Sequence, residues 1–168
     1  MRAAATLEFL TGTWNVVRTI SDRLAGRSGR FTGTASFTSE GGAVRYAEHG
    51  ELAFGDHRGP ASRSLRYDPR PDGAADVRFT DGREFFRLDL SAGTCEAEHQ
   101  CRADTYRVRV ERTGPDSFTE TWQVAGPEKD YQLTARYERA GPGLPEPERP
   151  GSGAAPRADA DRAPGAAP

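Results

Sequence analysis

Residues Phe9-Leu-Thr-Gly-Thr-Trp-Asn-Val-Val-Arg-Thr-Ile20 decide how the rest of the chain is interpreted. Beyond Gly12, alternate residues fall on opposite sides of the chain, which is the two-residue period of a β-strand. One face of this strand carries Trp14, Val16, Arg18 and Ile20. Just before it, residues 6–10 have the length of one helical turn. The stretch therefore predicts a short helix followed by a first strand.

The same alternation continues along the chain and predicts nine further strands. The ten predicted strands cover residues 14–20, 30–38, 44–54, 61–67, 75–80, 84–90, 94–101, 104–112, 118–124 and 131–138. Hairpin-sized turns such as Asp81-Gly82 join nearly all of them and leave no room for crossover helices. A meander of this kind either closes into an up-and-down barrel or packs as a sandwich. We expect an all-β protein with a single up-and-down antiparallel β-barrel, because closure removes exposed strand edges.

The composition changes at about Ala140. Seven of the 12 prolines follow this residue, and the segment contains no aromatic side chain. Such a segment cannot bury enough apolar surface to offset the entropy lost on ordering. We expect a β-barrel domain at residues 6–139 and a disordered Pro/Ala/Gly-rich tail at residues 140–168.

Charge and cysteine content restrict the class of function. The net charge is −2, whereas proteins that bind a nucleic-acid backbone are usually basic. Neither a secretion signal nor a run of about 18 apolar residues is visible. Two cysteines without a signal fit a reducing compartment. We expect a cytoplasmic protein, a monomer or a homodimer, that binds neither nucleic acid nor a membrane.

Polar residues interrupt several of the rows that face the barrel interior. Glu48, for example, lies in an otherwise apolar row of the third strand, where a buried carboxylate needs a partner. Arg18 against Glu48 or Glu120 would form such a buried pair. The candidate ligand-contacting residues are Arg18, Tyr46, Glu48, Arg63, His99, Tyr106, Glu120 and Tyr131.

These inward polar residues have two interpretations. A barrel of this size often holds one small ligand, which a few polar groups orient. Alternatively, the same groups form a satisfied hydrogen-bond network that braces a narrow barrel. For the ligand interpretation, we expect one internal space shared by Arg18, Tyr46, Glu48, His99 and Tyr106. The apolar part of the ligand would be covered by Phe31, Phe37 and Leu133.

His99 and Cys101 form the sharpest local motif, because residues two apart in a strand share a face and can reach one metal ion. Zinc usually takes three or four protein ligands. Cys95 lies too far along the strand to be one of them, at about 3.3 Å per residue, and too far for a disulfide with Cys101. A hydrogen-bonded histidine beside a buried thiol is the simpler interpretation, so we expect no metal and no cofactor. Asp81-Gly-Arg83 predicts a turn, with ligand binding by Arg83 as the alternative.

Several motifs together resemble one family of small bacterial lipocalin-like (calycin-type) β-barrel proteins, described only as a domain of unknown function. The motifs are Gly12-Thr-Trp14 with Arg18, Tyr46-Ala-Glu48 with Gly50, Asp81-Gly-Arg83-Glu-Phe85, His99-Gln-Cys101-Arg-Ala-Asp104-Thr-Tyr106 and Gly126-Pro-Glu-Lys129-Asp-Tyr131. The resemblance spans nearly all of residues 7–139. It implies the barrel fold but no activity, and a fold alone does not define a function.

Three functions fit this sequence, and whether the protein is an enzyme stays open. The first is a small-molecule binding barrel with a partly apolar ligand. The second is a calycin-type enzyme, an isomerase, cyclase or dehydratase with Tyr, Glu and His as acid–base groups. The third is a structural barrel filled by its own side chains. An open cavity is favoured by the small inward residues Gly33, Ala35 and Gly50, and a filled one by the large residues Trp14, Phe31, Phe37, Trp122 and Tyr131.

Overall fold

The computed structural model of the protein describes residues 6–141 and contains one short helix and ten strands. The helix is α1 (Thr6–Leu10), at the predicted position. The strands are β1 (Gly12–Asp22), β2 (Arg27–Glu40), β3 (Ala43–Phe54), β4 (His57–Pro69), β5 (Ala75–Arg78), β6 (Glu84–Leu88), β7 (Thr94–Cys101), β8 (Asp104–Gly114), β9 (Ser117–Ala125) and β10 (Asp130–Arg139). The predicted tail, apart from its first two residues, lies outside the described residues.

The ten strands form one antiparallel sheet that curls into a nearly closed barrel. Their order is β6-β5-β4-β3-β2-β1-β10-β9-β8-β7, so each strand pairs with its sequence neighbour and the first strand pairs with the last. Only β6 and β7, which stand at the two ends of this order, are not joined by a ladder of backbone hydrogen bonds. The expected up-and-down barrel is therefore confirmed, with one unpaired seam between β6 and β7.

Two predicted connections are shorter in the structure than the sequence suggested. We expected a loop at residues 55–60, but β4 already begins at His57, which is the register partner of Phe54. Gly55 makes the two-residue turn possible because its φ of 56° lies in the left-handed region that favours glycine. Polar residues 22–28 also predict a loop or a short helix, but the turn between β1 and β2 takes only residues 23–26. Both predictions failed because polar residues on an outer barrel face resemble loop residues.

The short strands β5 and β6 contain an irregularity that the alternation rule did not resolve. The register shifts between Val77 and Arg78, which is a β-bulge. Because a bulge breaks the two-residue period, Phe85 and Phe86 are both buried although they are consecutive. The predicted strands at 75–80 and 84–90 are correspondingly too long.

Trp14 lies at one end of the barrel, which α1 covers. Its ring is fully buried and packs edge-on against Phe9 and Phe118. The indole Nε1 donates a hydrogen bond to the backbone oxygen of Leu10, at 2.8 Å. The guanidinium of Arg139 lies over the ring, with its Cζ 4.2 Å from the ring centre. This end is therefore closed by aromatic packing and by the last strand.

Two glycines allow a close approach between β2 and β3. Gly33 and Gly50 are register partners, and a Cβ added to Gly33 would lie 2.2 Å from the backbone oxygen of His49. The same Cβ would lie 2.8 Å from Cζ of Phe31. The absence of side chains at this pair therefore permits backbone contact and lets the Phe31 ring cover Gly33.

Candidate functional site

Four charged side chains lie inside the barrel and form what we name the central charge cluster: Arg18, Glu48, Arg63 and Glu120. Arg18 projects from β1, Glu48 from β3, and Arg63 from β4 as the register partner of Glu48. Glu120 comes from β9, on the other side of β10. Arg18, Glu48 and Glu120 are only 3%, 4% and 8% exposed. Burial of charges to this degree is costly unless they are paired.

Arg18 and Glu48 form a two-pronged ion pair. Nη1 of Arg18 donates to Oε1 of Glu48 at 2.9 Å, and Nη2 donates to Oε2 at 2.8 Å. Burial alone would raise the pKa of Glu48, but the charges of Arg63 and Arg18 and the hydrogen bonds from Arg18 and Tyr46 lower it to about 2. Glu48 therefore stays ionised at neutral pH. Of the two pairings that the sequence offered to Arg18, the structure shows the one with Glu48.

Two tyrosines complete the network around Glu48. The Tyr46 hydroxyl donates to Oε2 of Glu48, and the Tyr137 hydroxyl lies 3.2 Å from that of Tyr46. Burial raises the pKa of Tyr46 well above its usual value, and burial together with the charge of Glu120 raises the pKa of Tyr137 to about 12. Both phenols are thus protonated at neutral pH. Since the Tyr46 hydrogen goes to Glu48, Tyr137 donates to the Tyr46 oxygen.

Arg63 is the member of the cluster whose hydrogen bonds are incomplete. Its Nε lies 3.4 Å from Oε1 of Glu48, yet this buried atom has no hydrogen-bond partner within the described residues. Its Nη2 lies 4.0 Å from Oε1 of Glu120, which is beyond hydrogen-bonding distance. The guanidinium also lies over the Tyr46 ring, 5.5 Å from its centre. The three hydrogen bonds that Glu48 accepts come from Arg18 and Tyr46.

Glu120 is held by an aromatic wall rather than by Arg63. The indole Nε1 of Trp122 donates to Oε1 of Glu120 at 2.6 Å. The Trp122 ring stacks on Phe85, with 4.9 Å between ring centres and an angle of 6°, and meets Phe86 edge-on. The bulge in the β5–β6 hairpin therefore supplies the two rings that fix Trp122 and, through it, Glu120.

The remaining candidates lie in a second group nearer the open end of the barrel. Tyr106 and His99 are register partners with ring centres 6.1 Å apart. The Tyr106 hydroxyl accepts a hydrogen bond from Lys129 Nζ at 2.9 Å, and the same Nζ lies 3.1 Å from Oδ2 of Asp104. Burial raises the pKa of Tyr131, and a hydrogen bond with Tyr106 contributes. Within the described residues, neither His99 nor Tyr106 has a hydrogen bond or ion pair with the central charge cluster, so the shared internal space stays a prediction.

His99 and Cys95 contact β6 across the unpaired seam. Cys95 accepts a hydrogen bond from the Asp89 N–H at 3.4 Å and donates its S–H to the Arg87 oxygen at 3.6 Å. The His99 ring meets Phe85 edge-on, with centres 5.4 Å apart. Burial lowers the pKa of His99, against a contribution from the Phe85 backbone. These two inward side chains of β7 therefore replace part of the missing backbone ladder.

Beside Arg63, strand β4 has no hydrogen-bonded neighbour on the β5 side in the part of the chain that the structure describes. β4 pairs with β5 only from Arg66 to Pro69, so residues 57–65 of β4 have no hydrogen-bonded neighbour on that side within the described residues. We name this gap the notch; it is bounded by residues 57–65, the β5–β6 turn at residues 79–83 and the end of β7. The side chain of Arg63 is 12% exposed, against 3% for Glu48. Arg63 and Glu120, at 12% and 10%, are thus the members of the cluster whose side chains are partly exposed.

Two depressions accompany these features. One, of about 390 Å³, opens at the seam and is lined by Phe85, Phe86 and His99 among others. The other, of about 510 Å³, lies on the outer face of β7–β9. Its charged side chains are exposed and already paired, with Arg107 Nε 2.9 Å from Glu98 and Arg109 Nη1 2.6 Å from Glu96. Because these surface charges already pair with each other, the outer depression needs no ligand to balance them.

Sequence reasoning missed two polar residues of these groups. Tyr137 lies on an inward row of the predicted last strand, and its hydroxyl joins the charge cluster. Lys129 is the only lysine in the chain, a signal that singles it out among many arginines. Arg83, by contrast, is an exposed turn residue that pairs with Asp81 at 2.7 Å. Within residues 6–141, no three His, Cys, Asp or Glu side chains group as a metal site would require.

The fold and the site define a small, nearly closed, lipocalin-like antiparallel barrel with a charged interior. The chain belongs to the family of unknown function DUF6314, whose model matches residues 10–139. This result confirms the family resemblance of the sequence motifs. Comparison with curated protein sequences gives no match. The one helix within residues 6–141 is too short to cross a membrane.

The chain is similar to several solved structures, including the following three. An S-type phycobiliprotein lyase from Guillardia theta has a TM-score of 0.56 at 10% identity, covering 82% of this chain and 92% of that one. A redesigned β-barrel bound to DFHBI has a TM-score of 0.43 at 17% identity, covering 78% and 99%. A DUF3598 protein of unknown function from Nostoc punctiforme has a TM-score of 0.43 at 12% identity, covering 80% and 49%. At 10% identity, the similarity to the lyase shows a shared fold alone.

Proposed function

We propose that this protein is a small-molecule binding barrel, with its ligand held at the central charge cluster and admitted through the notch. The observation that carries the proposal is Arg63, a buried guanidinium whose Nε has no hydrogen-bond partner within residues 6–141. Buried polar groups in folded proteins nearly always have a partner. Because Nε is enclosed beside Glu48, a bound ligand would supply an acceptor to the terminal nitrogens of Arg63, whose side chain is 12% exposed at the notch.

The distribution of the polar groups favours binding over acid–base catalysis. A calycin-type enzyme would need Tyr, Glu and His around one reacting centre. Here Glu48 and Tyr46 bond to each other and to Arg18, while His99 lies with Tyr106 in the second group. Arg63 orients a ligand but does not titrate near neutral pH, because attraction to Glu48 keeps its pKa above the usual value despite burial.

A structural barrel filled by its own side chains is the second candidate, and two contacts favour it. The Phe31 ring covers Gly33, and Phe85 stacks on Trp122 in the interior. Under this alternative, Arg63 would have no role beyond attraction to Glu48 and Glu120. The two functions therefore differ in what the removal of Arg63 does to binding and to stability.

Native mass spectrometry of the protein, purified without detergent, tests the proposal. We expect a bound species of discrete mass that is lost on denaturation. Its occupancy should fall sharply in Arg63→Met and stay unchanged in Arg66→Met, because Arg66 is on the same strand but is exposed and paired with Asp68. Ligand-free protein, together with no thermal shift from a panel of small aromatic and acyl compounds, would instead support the filled barrel.

A further inference from the structure

We infer that the ligand of the central charge cluster is an uncharged molecule that presents a carbonyl-type acceptor to Arg63, and not an anion. This inference rests on the proposed function, since it concerns the same site. It follows from three properties of the cluster: its charge, its excess of hydrogen-bond donors and the small apolar residues above Arg63.

The formal charges of the cluster are already balanced. Arg18 and Arg63 contribute two positive charges, Glu48 and Glu120 contribute two negative charges, and the sum is zero. Three of these side chains are less than a tenth exposed. An anionic ligand would bring a net negative charge into this poorly solvated interior, where an unbalanced charge is strongly unfavourable. An uncharged ligand leaves the balance intact.

The hydrogen-bond donors of Arg63, in contrast, exceed the hydrogen bonds that it makes within residues 6–141. Glu48 accepts from both terminal nitrogens of Arg18 and from Tyr46, and Oε1 of Glu120 accepts from Trp122. A guanidinium carries five N–H donors and no acceptor. Arg63 Nε has no hydrogen-bond partner within residues 6–141. Its Nη2 lies 4.0 Å from Oε1 of Glu120. Arg63 therefore has unused hydrogen-bond donors, although the formal charges of the cluster are balanced.

The surroundings of Arg63 on its open side are small and apolar. Toward the notch, the next residue on the same face of β4 is Ala61, and its register partner on β3 is Gly50. Gly50 in turn faces Gly33 on β2. These residues, with the Phe31 ring over Gly33, offer no polar group to solvate a second charge. A carbonyl oxygen is uncharged, so the N–H donors of the Arg63 guanidinium are the only polar partner it needs.

The test compares two probes that share one ring system, 2-acetylnaphthalene and 2-naphthoate. Binding is measured at neutral pH by tryptophan fluorescence and calorimetry. We expect the ketone to bind about ten-fold more tightly than the carboxylate. The ketone accepts a hydrogen bond from the charged Arg63 side chain, whereas the carboxylate adds an unbalanced negative charge. Arg63→Met should remove this advantage, and Arg66→Met should change it by less than about two-fold. Tighter binding of the carboxylate overturns the inference but leaves the binding function standing.

Two further measurements keep the outcomes separate. Arg63→Lys retains the positive charge but not the planar fork, so it should fold even where Arg63→Met does not, and it should still weaken ketone binding. If neither probe binds, the charge state of the molecule released from the native protein decides: an uncharged molecule supports the inference and an anion overturns it. If no molecule is released and neither probe binds, the binding function itself fails.

Discussion

The guanidinium of Arg139 lies over the Trp14 indole, with its Cζ 4.2 Å from the ring centre. Its nitrogens also donate to the backbone oxygens of Phe9 at 2.8 Å and Thr11 at 3.0 Å. One side chain from the last strand thereby ties α1 and the first strand together. Of the two arginines of β10, Arg139 and not Arg136 lies over Trp14.

Arg139→Ala should therefore destabilise the protein by about 2 kcal/mol, from a cation–π contact and hydrogen bonds to a charged group. Trp14→Ala should cost about 3–5 kcal/mol because it also empties the closed end. Arg136→Ala is the control; that side chain is exposed and pairs only with Glu138 at 3.2 Å. Urea denaturation measures all three, and equal effects of the two arginine variants would contradict the assigned role.

Glu48→Gln should lower the free energy of unfolding by about 3–5 kcal/mol, because two buried guanidinium groups lose their shared counter-charge. The matched control is Glu51→Gln on the same strand, since Glu51 is exposed and lies 3.6 Å from Arg58. It should change stability by less than about 1 kcal/mol. A mild Glu48→Gln phenotype combined with lost ligand binding would show that the carboxylate serves the ligand more than the fold.

Acid should destabilise the protein through Glu48 in a defined range. Its pKa is lowered from 4.5 to about 2 in the folded state, so the unfolded chain takes up the proton first as the pH falls. The stabilisation is complete above pH 4.5 and is lost as the pH falls toward 2. The linkage amounts to roughly 3 kcal/mol. Parallel pH profiles for the wild type and Glu48→Gln in this range would show that the ion pair does not hold the carboxylate ionised.

Gly33→Ala should destabilise the barrel by about 3 kcal/mol, because the new methyl group meets backbone atoms that cannot move aside. Its Cβ would lie 2.2 Å from the His49 oxygen. Gly59→Ala on β4 is the control, since its Cβ would meet only His57, at 3.6 Å, and should change stability by less than about 0.5 kcal/mol. Chemical denaturation compares the two; a neutral Gly33→Ala would mean that β2 and β3 are further apart.

Cys95→Ala should loosen the seam without unfolding the barrel, at a cost of about 1 kcal/mol. The Asp89 amide donates to Cys95 Sγ, so its hydrogen exchange should become faster in the variant. Cys101→Ala provides the comparison, because it lies on the same strand and face but contributes no hydrogen bond across the seam. Unchanged exchange at Asp89 in Cys95→Ala would show that the thiol does not hold β6.

The sequence predicted which residues face inward better than it predicted which of them meet. Alternation is local, so it correctly placed Arg18, Glu48 and Glu120 inside. The partner of Arg18 depends on the stagger between β1, β2 and β3, which no local pattern contains. The separation of His99 from the cluster has the same origin.

The β-bulge between β5 and β6 could not be predicted from the sequence either. An alternation pattern assigns consecutive residues to opposite faces, so it can place only one of Phe85 and Phe86 inside. The register shift after Val77 brings both inside, and this is what positions Trp122 and Glu120. The notch follows from strand lengths, which the pattern overestimated for β5 and β6.

The open seam also bears on self-association. Unpaired edges of β6 and β7 offer free backbone groups to any other chain, and such edges template the growth of sheets between molecules. Here the outward side chains along these edges are charged and exposed, with Glu84 and Arg87 on β6 and Glu98 on β7. A second copy adding a strand would have to place its own side chains among these charges. The barrel thus keeps a gap in its wall while discouraging its own polymerisation.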